Sequence, residues 1–457
     1  MRKLYCEMHD NRFKKDLMNK IIDRAANKKA AFLLFLIGFF SMTRINVGGK
    51  LGISEFVILF CSPIVFLKNI SIFRKEHISF FLTLCFIWLL NAALSDWING
   101  TYPAFALKGI ANPIMVLANS MTLYVFLRKN PENMRFLMLG IAISAVISIF
   151  FFQKITNEEL AQIGSSVDAV SKVTGYKLFW GNMTMLWVGL PIMGWYLQMR
   201  HGMSLILVAF VIAAYALCGG RSSTVAYFVS FLLIFVGGNR TQTMGRVKRH
   251  ILLIVILLFA LGMVGKSAYR YAATHGLMGE MEARKYERQT AGGSGGLASM
   301  FVSGRSEFFI ATGAALDRPL LGHGSHAIDN DGYVANFFAK YGSDVDRKLY
   351  YEAALNSLHR IPFHSQIATF WMWHGIGGLL FWGYVLFLVV WTLMRGMAVF
   401  PPYFGYLALV LPVTLWDIFF SPFGTRIPEC AIFVACLMIR NMARGMQYPQ
   451  EERRIAQ

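Results

Sequence analysis

Residues Ile78 to Leu94 read ISFFLTLCFIWLLNAAL, seventeen residues without a single charge. As a helix this stretch is about 25 Å long, close to the ~30 Å hydrocarbon thickness of a bilayer. Charged residues flank it, Arg74, Lys75 and Glu76 before and Asp96 after. That is the pattern of a membrane span.

The rest of the chain repeats it. Of 457 residues, 56% are hydrophobic and only 15% charged, and the mean hydropathy is +0.49. A soluble domain carries about 25% charged residues and could not hide so much apolar side chain. Twelve predominantly apolar runs are expected as spans: Ala30 to Met42, Leu51 to Leu67, Ile78 to Leu94, Phe105 to Leu127, Phe136 to Phe152, Trp180 to Leu197, Ser204 to Cys218, Ser223 to Gly237, Ile251 to Val264, Ile367 to Met394, Tyr403 to Phe420 and Ala431 to Ile439. The tenth is long enough to tilt or to include a turn. The expected fold is therefore an all-α polytopic membrane protein of about twelve transmembrane helices, with a large, partly helical outer loop between helices nine and ten.

The formal charge of +19 would suggest a polyanion partner in a soluble protein, but its placement says otherwise. The N-terminal segment, alternate connections and the C-terminal tail carry twenty-five Lys and Arg, against eight in the opposite short connections. The basic set marks the cytoplasmic side. No nucleic-acid partner is implied, and both termini are expected in the cytoplasm with the long loop on the outer side of the membrane. The N-terminal segment is too long and too charged for a signal peptide and lacks a small-residue cleavage site, so it reads as a retained tail. The expected layout is a cytoplasmic tail over 1–29, nine spans over 30–266, a cap loop over 267–363, three spans over 364–440 and a second tail over 441–457.

Two outer connections are long, Lys154 to Phe179 and above all Ser267 to Phe363. Between Ala268 and His364 there are ten Lys/Arg, ten Asp/Glu and many aromatics, a composition for a folded cap rather than a charged tail. Ala291 to Gly296 (AGGSGG) reads as a hinge within it. Half of the ten histidines lie here: His275, His323, His326, His359 and His364. None of the six cysteines does, so no disulfide framework is expected. There is no zinc spacing, Walker A or dinucleotide fingerprint, and no cofactor is expected. Nor is there the internal repeat of interrupted helices that points to a secondary transporter.

Three constellations carry chemistry. The first is Cys218-Gly219-Gly220-Arg221-Ser222-Ser223-Thr224 at the outer start of the eighth span. Free backbone donors and a fixed cation suit a phosphate; the alternative is a tight turn with a snorkelling arginine. The second is Gly304-Arg305-Ser306-Glu307-Phe308-Phe309, followed by Asp317-Arg318-Pro319-Leu320-Leu321-Gly322-His323-Gly324. Helical apolar spacing from Ala298 to Leu316 lets Phe301, Phe308, Phe309 and Ala315 rest on the membrane domain. Arg305 is free for an anion or pairs with Glu307, a surface contact of little value. His323, His326, Asp329 and Asp331 resemble metal ligands, but turn chemistry explains this Gly-rich run and no metal is expected.

The third is Pro362-Phe363-His364-Ser365-Gln366 and then His374-Gly375-Ile376-Gly377-Gly378. His364 stands where the cap returns to the membrane. It serves there either as a helix cap or as a general base for a sugar hydroxyl.

His364-Ser365, nine intervening residues, then Gly375-x-x-Gly378 resembles the signature of the bacterial O-antigen ligase superfamily, which includes O-antigen and exopolysaccharide polymerases. The turn at Arg221, the Gly304-Arg305 pair, the Pro319 to Gly324 stretch and the long outer loop look like the same layout, over roughly residues 200 to 395. The resemblance implies a GT-C type glycosyltransferase, without a metal, acting on undecaprenyl-diphosphate-linked glycan at the periplasmic face of the inner membrane. It implies Arg221 and Arg305 on the diphosphate, with Lys108 as a further candidate, and His364 as general base or orienting group. Arginines suit that task because a diphosphate gains charge as it leaves. Inversion at the anomeric carbon is expected. Arg318, Arg347, His359 and Arg360 are candidates for the glycan groove. The acceptor is lipid A core in a ligase and a second lipid-linked repeat in a polymerase; the histidine and glycine pattern leans towards the ligase. A glycan flippase or other transporter is the competing class, and it would place polar residues near the midplane of its spans.

Overall fold

The computed structural model describes residues 28–41, 43–46, 50–75, 78–128, 130–151, 201–217, 221–237, 271, 275, 302, 305–341, 360–394, 401–424 and 426–455. Helix α1 covers 28–39. Two short strands, β1 (Arg44–Asn46) and β2 (Lys50–Gly52), pair antiparallel with Ile45 opposite Leu51. There follow α2 (Ile53–Lys68), α3 (Ile70–Lys75), α4 (Ile78–Ile98), α5 (Pro103–Arg128), α6 (Met134–Phe151), α7 (His201–Leu217) and α8 (Arg221–Gly237). In the segment expected as a cap lie α9 (Ser306–Asp317) and α10 (Tyr333–Tyr341), and the last described helices are α11 (Gln366–Met394), α12 (Pro401–Phe420) and α13 (Arg426–Ile455).

Ten of the twelve expected runs overlap these helices. Those from Trp180 to Leu197 and from Ile251 to Val264 lie outside the described residues, as do most of the N-terminal tail, the Lys154 to Phe179 connection and the Ala291 to Gly296 hinge. Three described helices, α4, α5 and α11, are long and apolar enough to cross a membrane, and α7, α8 and α12 hold shorter apolar stretches. The small ribbon departs from the all-helical expectation. It feeds directly into α2, where Glu55 closes the first turn by accepting from the Gly52 amide at 2.9 Å.

The core forms where α4 lies along α11. Trp88 of α4 stacks on Phe381 of α11 with centroids 4.7 Å apart, and Phe370 stacks on Trp382 at 5.7 Å. The outward side of α4 exposes Phe80, Phe86, Leu90, Leu94 and Trp97, a surface that water would disfavour and lipid would not.

Polar contacts bring the starts of several helices to one end. Arg426 of α13 reaches Glu55 of α2 at 3.4 Å and donates to Asn112 of α5 at 3.1 Å. Gln366, first residue of α11, donates to Glu429 of α13 at 3.0 Å.

Helix α11 is broken at Gly375, whose φ of 59° and ψ of −145° belong to glycine alone. The Pro319 to Gly324 strap lies across the break and replaces the interrupted ladder. Ile376 N donates to Leu320 O at 3.1 Å, His323 N to Met372 O at 2.8 Å and Gly324 N to Trp373 O at 3.1 Å. Ser95 Oγ adds a bond to Trp373 O at 2.7 Å, and Asn91 Nδ2 donates to His374 O. Non-helical backbone at membrane depth is tolerated only when its polar groups find such partners. Gly322 must be glycine as well: at φ 76° a Cβ would come 2.6 Å from Trp373 O and 2.7 Å from Met372 O.

Candidate functional site

Helix α9 begins immediately after Arg305 and buries Ile310, Ala311, Ala314 and Ala315 against α11. Phe308 meets Phe420 of α12 at 5.5 Å. This segment packs on α11 and α12, mainly through its small residues; Phe301 lies outside the described residues. The docking sets three side chains together. Arg305 lays its guanidinium over Trp416 at 4.7 Å and Phe420 at 5.2 Å. Glu307, two residues on, does not form the alternative ion pair with Arg305; its Oε2 lies 3.0 Å from Nδ1 of His364. His364 remains 55% exposed and Glu307 46%, so the ring is held on one side and open on the other. Desolvation pushes the Glu307 carboxyl up from its ordinary range, against the opposing pull of His364 and Arg305. Desolvation also lowers the Arg305 proton affinity, with Glu307 opposing it, but a guanidinium stays charged in any case.

A second group stands on the ring of Phe105, in the first turn of α5. Arg360 lies over that ring at 4.2 Å and Lys108 at 5.8 Å. His326 approaches it at 5.4 Å. Arg360 is fixed by its bridge to Ile328 and by the bond from Ile361 N to Ala327 O. Lys108 and Arg360 thus come together, but on different partners from Arg305. Phe363 separates the two groups, 5.8 Å from the His326 ring and 6.0 Å from the His364 ring.

Arg318 serves the strap, donating to Asn99 Oδ1 at 3.0 Å. Arg221 is the first residue of α8. Arg347 and His359 lie outside the described residues. The four residues that resemble metal ligands take separate duties. His323 Nε2 bonds to Ala314 O at 2.8 Å, and Asp329 accepts from Tyr333 N and Val334 N at the start of α10. Asp331 accepts from the Tyr333 hydroxyl, and His326 turns to Phe105.

Sequence reasoning missed a buried polar chain. Trp88 Nε1 donates to Nδ1 of His374 at 2.8 Å. An indole can only donate, so the His374 proton sits on Nε2. Nε2 faces Ser325 Oγ at 2.9 Å, and that hydroxyl passes its own hydrogen to Asp96 Oδ2 at 2.8 Å. Ser325 N also donates to Asp96 Oδ1. Gly109 of α5 leaves the room: a Cβ there would collide with Ser325. The available signal was the Asp96 carboxylate at the end of an uncharged span, since such a group needs a partner.

An apolar groove between α2, α3, α4 and α5, lined by Pro63, Phe66, Phe73, Leu82 and Leu117, shares no residue with these groups. The sequence matches no protein-family model and no curated protein.

Proposed function

We propose that this chain is a membrane glycosyltransferase of the O-antigen ligase and polymerase type, moving a glycan from undecaprenyl diphosphate to a sugar hydroxyl at the periplasmic face of the inner membrane. The observation that carries this reading is the Glu307 to His364 pair beside Arg305. With Nδ1–H directed at the carboxylate, His364 keeps a lone pair on Nε2, on its exposed side. The acceptor oxygen attacks the anomeric carbon as Nε2 takes its proton. The bond from that carbon to the diphosphate breaks, the diphosphate leaves with the electron pair, and the configuration inverts.

Arg305 meets the growing negative charge, and Arg221 is the second cation. Ser230 Oγ of α8 donates to Leu409 O of α12 at 3.1 Å. If successive spans alternate in direction, α8 and α12 run antiparallel. Nine residues back from Ser230 then bring Arg221 to the height of Ile418, about 13 Å along each helix from that bond. In this reading the described helices belong to a twelve-span bundle with both termini in the cytoplasm. The acceptor is lipid A core, or alternatively a second lipid-linked repeat as in a polymerase.

The break in α11 invites a transporter reading, because discontinuous helices line transport sites. Here the strap fills the break with bonded backbone, which favours the enzyme. The test is purified protein with a synthetic undecaprenyl-diphosphate glycan and either lipid A core or a second lipid-linked unit, with and without EDTA. A new glycosidic product that persists in EDTA and is lost in His364→Ala supports the reading and names the acceptor. Full transfer by both His364→Ala and Arg305→Ala would remove it.

A further inference from the structure

Lys108 and Arg360 are both exposed, and no carboxylate among the described residues forms an ion pair with either. Two cations held over one ring with no ion-pair partner among the described residues are unusual, since like charges repel unless an anion joins them. Their neighbour His326 adds two independent signs of a built site. Its backbone has φ 56°, a left-handed conformation rare outside glycine, and its Nδ1 is buried without a hydrogen-bond partner among the described residues. Both features fix His326 rigidly in the wall beside the two cations. Around the cations the surface is apolar and aromatic: Tyr102, Leu107 and Ile328 are exposed. A cation pair with this rim suits the interface between lipid tails and headgroups.

We propose that Lys108 and Arg360, standing on Phe105 with His326 beside them, form a second phosphate site that holds the phosphate group of a lipid-linked molecule. An arginine fork and a lysine point charge are the usual pair for such an oxygen-rich anion. One aromatic ring, Phe363, lies between this site and the proposed base. The site's role in the reaction rests on the transferase reading: a donor diphosphate occupies Arg305, and the second lipid-borne phosphate anchors the acceptor across Phe363. The binding itself does not depend on that role.

Native mass spectrometry of the full chain in detergent, titrated with undecaprenyl diphosphate, tests it. Wild type should hold two copies, and Lys108→Gln/Arg360→Gln one. Undecaprenol, which lacks phosphate, should bind both proteins equally. Inorganic pyrophosphate should bind the wild type at least tenfold more weakly than the lipid form. Unchanged stoichiometry and affinity in the double variant would overturn the site, and pyrophosphate binding as tightly as the lipid would overturn its lipid character. Because both side chains are exposed, loss of folding is not an expected outcome, and the Trp fluorescence spectrum checks it. Two bound lipids with no glycan transfer would leave the site standing and remove only the transferase reading.

Discussion

Ser325 Oγ and His374 Nε2 share a 2.9 Å hydrogen bond in the interior, fastening the cap strap to the helix whose start follows His364. Ser325→Ala would strand the His374 Nε2–H and one oxygen of Asp96. Leaving buried polar groups unpaired costs about 1–3 kcal/mol. The variant should unfold several degrees lower in detergent, followed by Trp fluorescence. Gly109→Ala should act in the same direction, because its methyl group enters the same space. Unchanged melting in both would show that the strap is held by other contacts.

Glu307 supplies a pH signature. Its carboxyl is pushed above the ordinary glutamate range by desolvation. As the pH falls, it takes a proton earlier than a solvated glutamate would, and the neutral acid no longer orients His364. Transfer should therefore fall on the acid side at a pH above the ordinary value of about 4.3. Glu307→Gln should lower kcat about 10- to 100-fold with little change in KM. It should also move the acid limb of the pH–rate profile, because His364 loses its carboxylate partner, while the limb itself remains because a general base at His364 is protonated in acid. A variant with the wild-type profile would reduce Glu307 to a packing contact.

The helical architecture was legible because apolar runs state their own length: the run from Ile78 to Leu94 lies within α4, and the tenth run matches α11 to within one residue. Arg305, Glu307 and His364 were each visible as ionisable groups near an interface. Their pairing was not, because it depends on α9 docking through Ala311, Ala314 and Ala315, which bring Glu307 to a residue 57 positions away. The same holds for Asp96 and Ser325, 229 positions apart. The glycines of the Gly375-x-x-Gly378 pattern gained a physical meaning only from the helix break at Gly375 and from Gly378, where a Cβ would press on the Phe370 carbonyl.

That meaning is testable at Gly375. Alanine there must adopt φ near 59° and ψ near −145°, a conformation costing about 1–3 kcal/mol. Its methyl group would also press on the Leu320 backbone. Gly375→Ala and Gly322→Ala should each destabilise the protein and loosen the strap, read as faster proteolysis between α9 and α11. Gly383, with open space where a Cβ would stand, should accept alanine without loss. Equal tolerance at all three positions would argue against a strap seated in the break.

His326 makes stability depend on pH. Burial, then Arg360 and Lys108, lower its pKa to about 4, against about 6.5 in an unfolded chain. Between these values the unfolded chain binds more protons than the native protein, so the native advantage is complete above pH 6.5 and is lost as the pH falls towards 4. The amount is of order 1–3 kcal/mol. His326→Gln should flatten that part of the stability curve measured by thermal unfolding from pH 7 to 4. A phosphate bound between Lys108 and Arg360 would screen both cations and make His326 easier to protonate. Undecaprenyl diphosphate should therefore reduce the acid sensitivity of the wild type and cause proton uptake on binding near pH 5. The His326→Gln variant should show neither effect. If the lipid left the wild-type pH dependence unchanged, its phosphate would not lie beside His326.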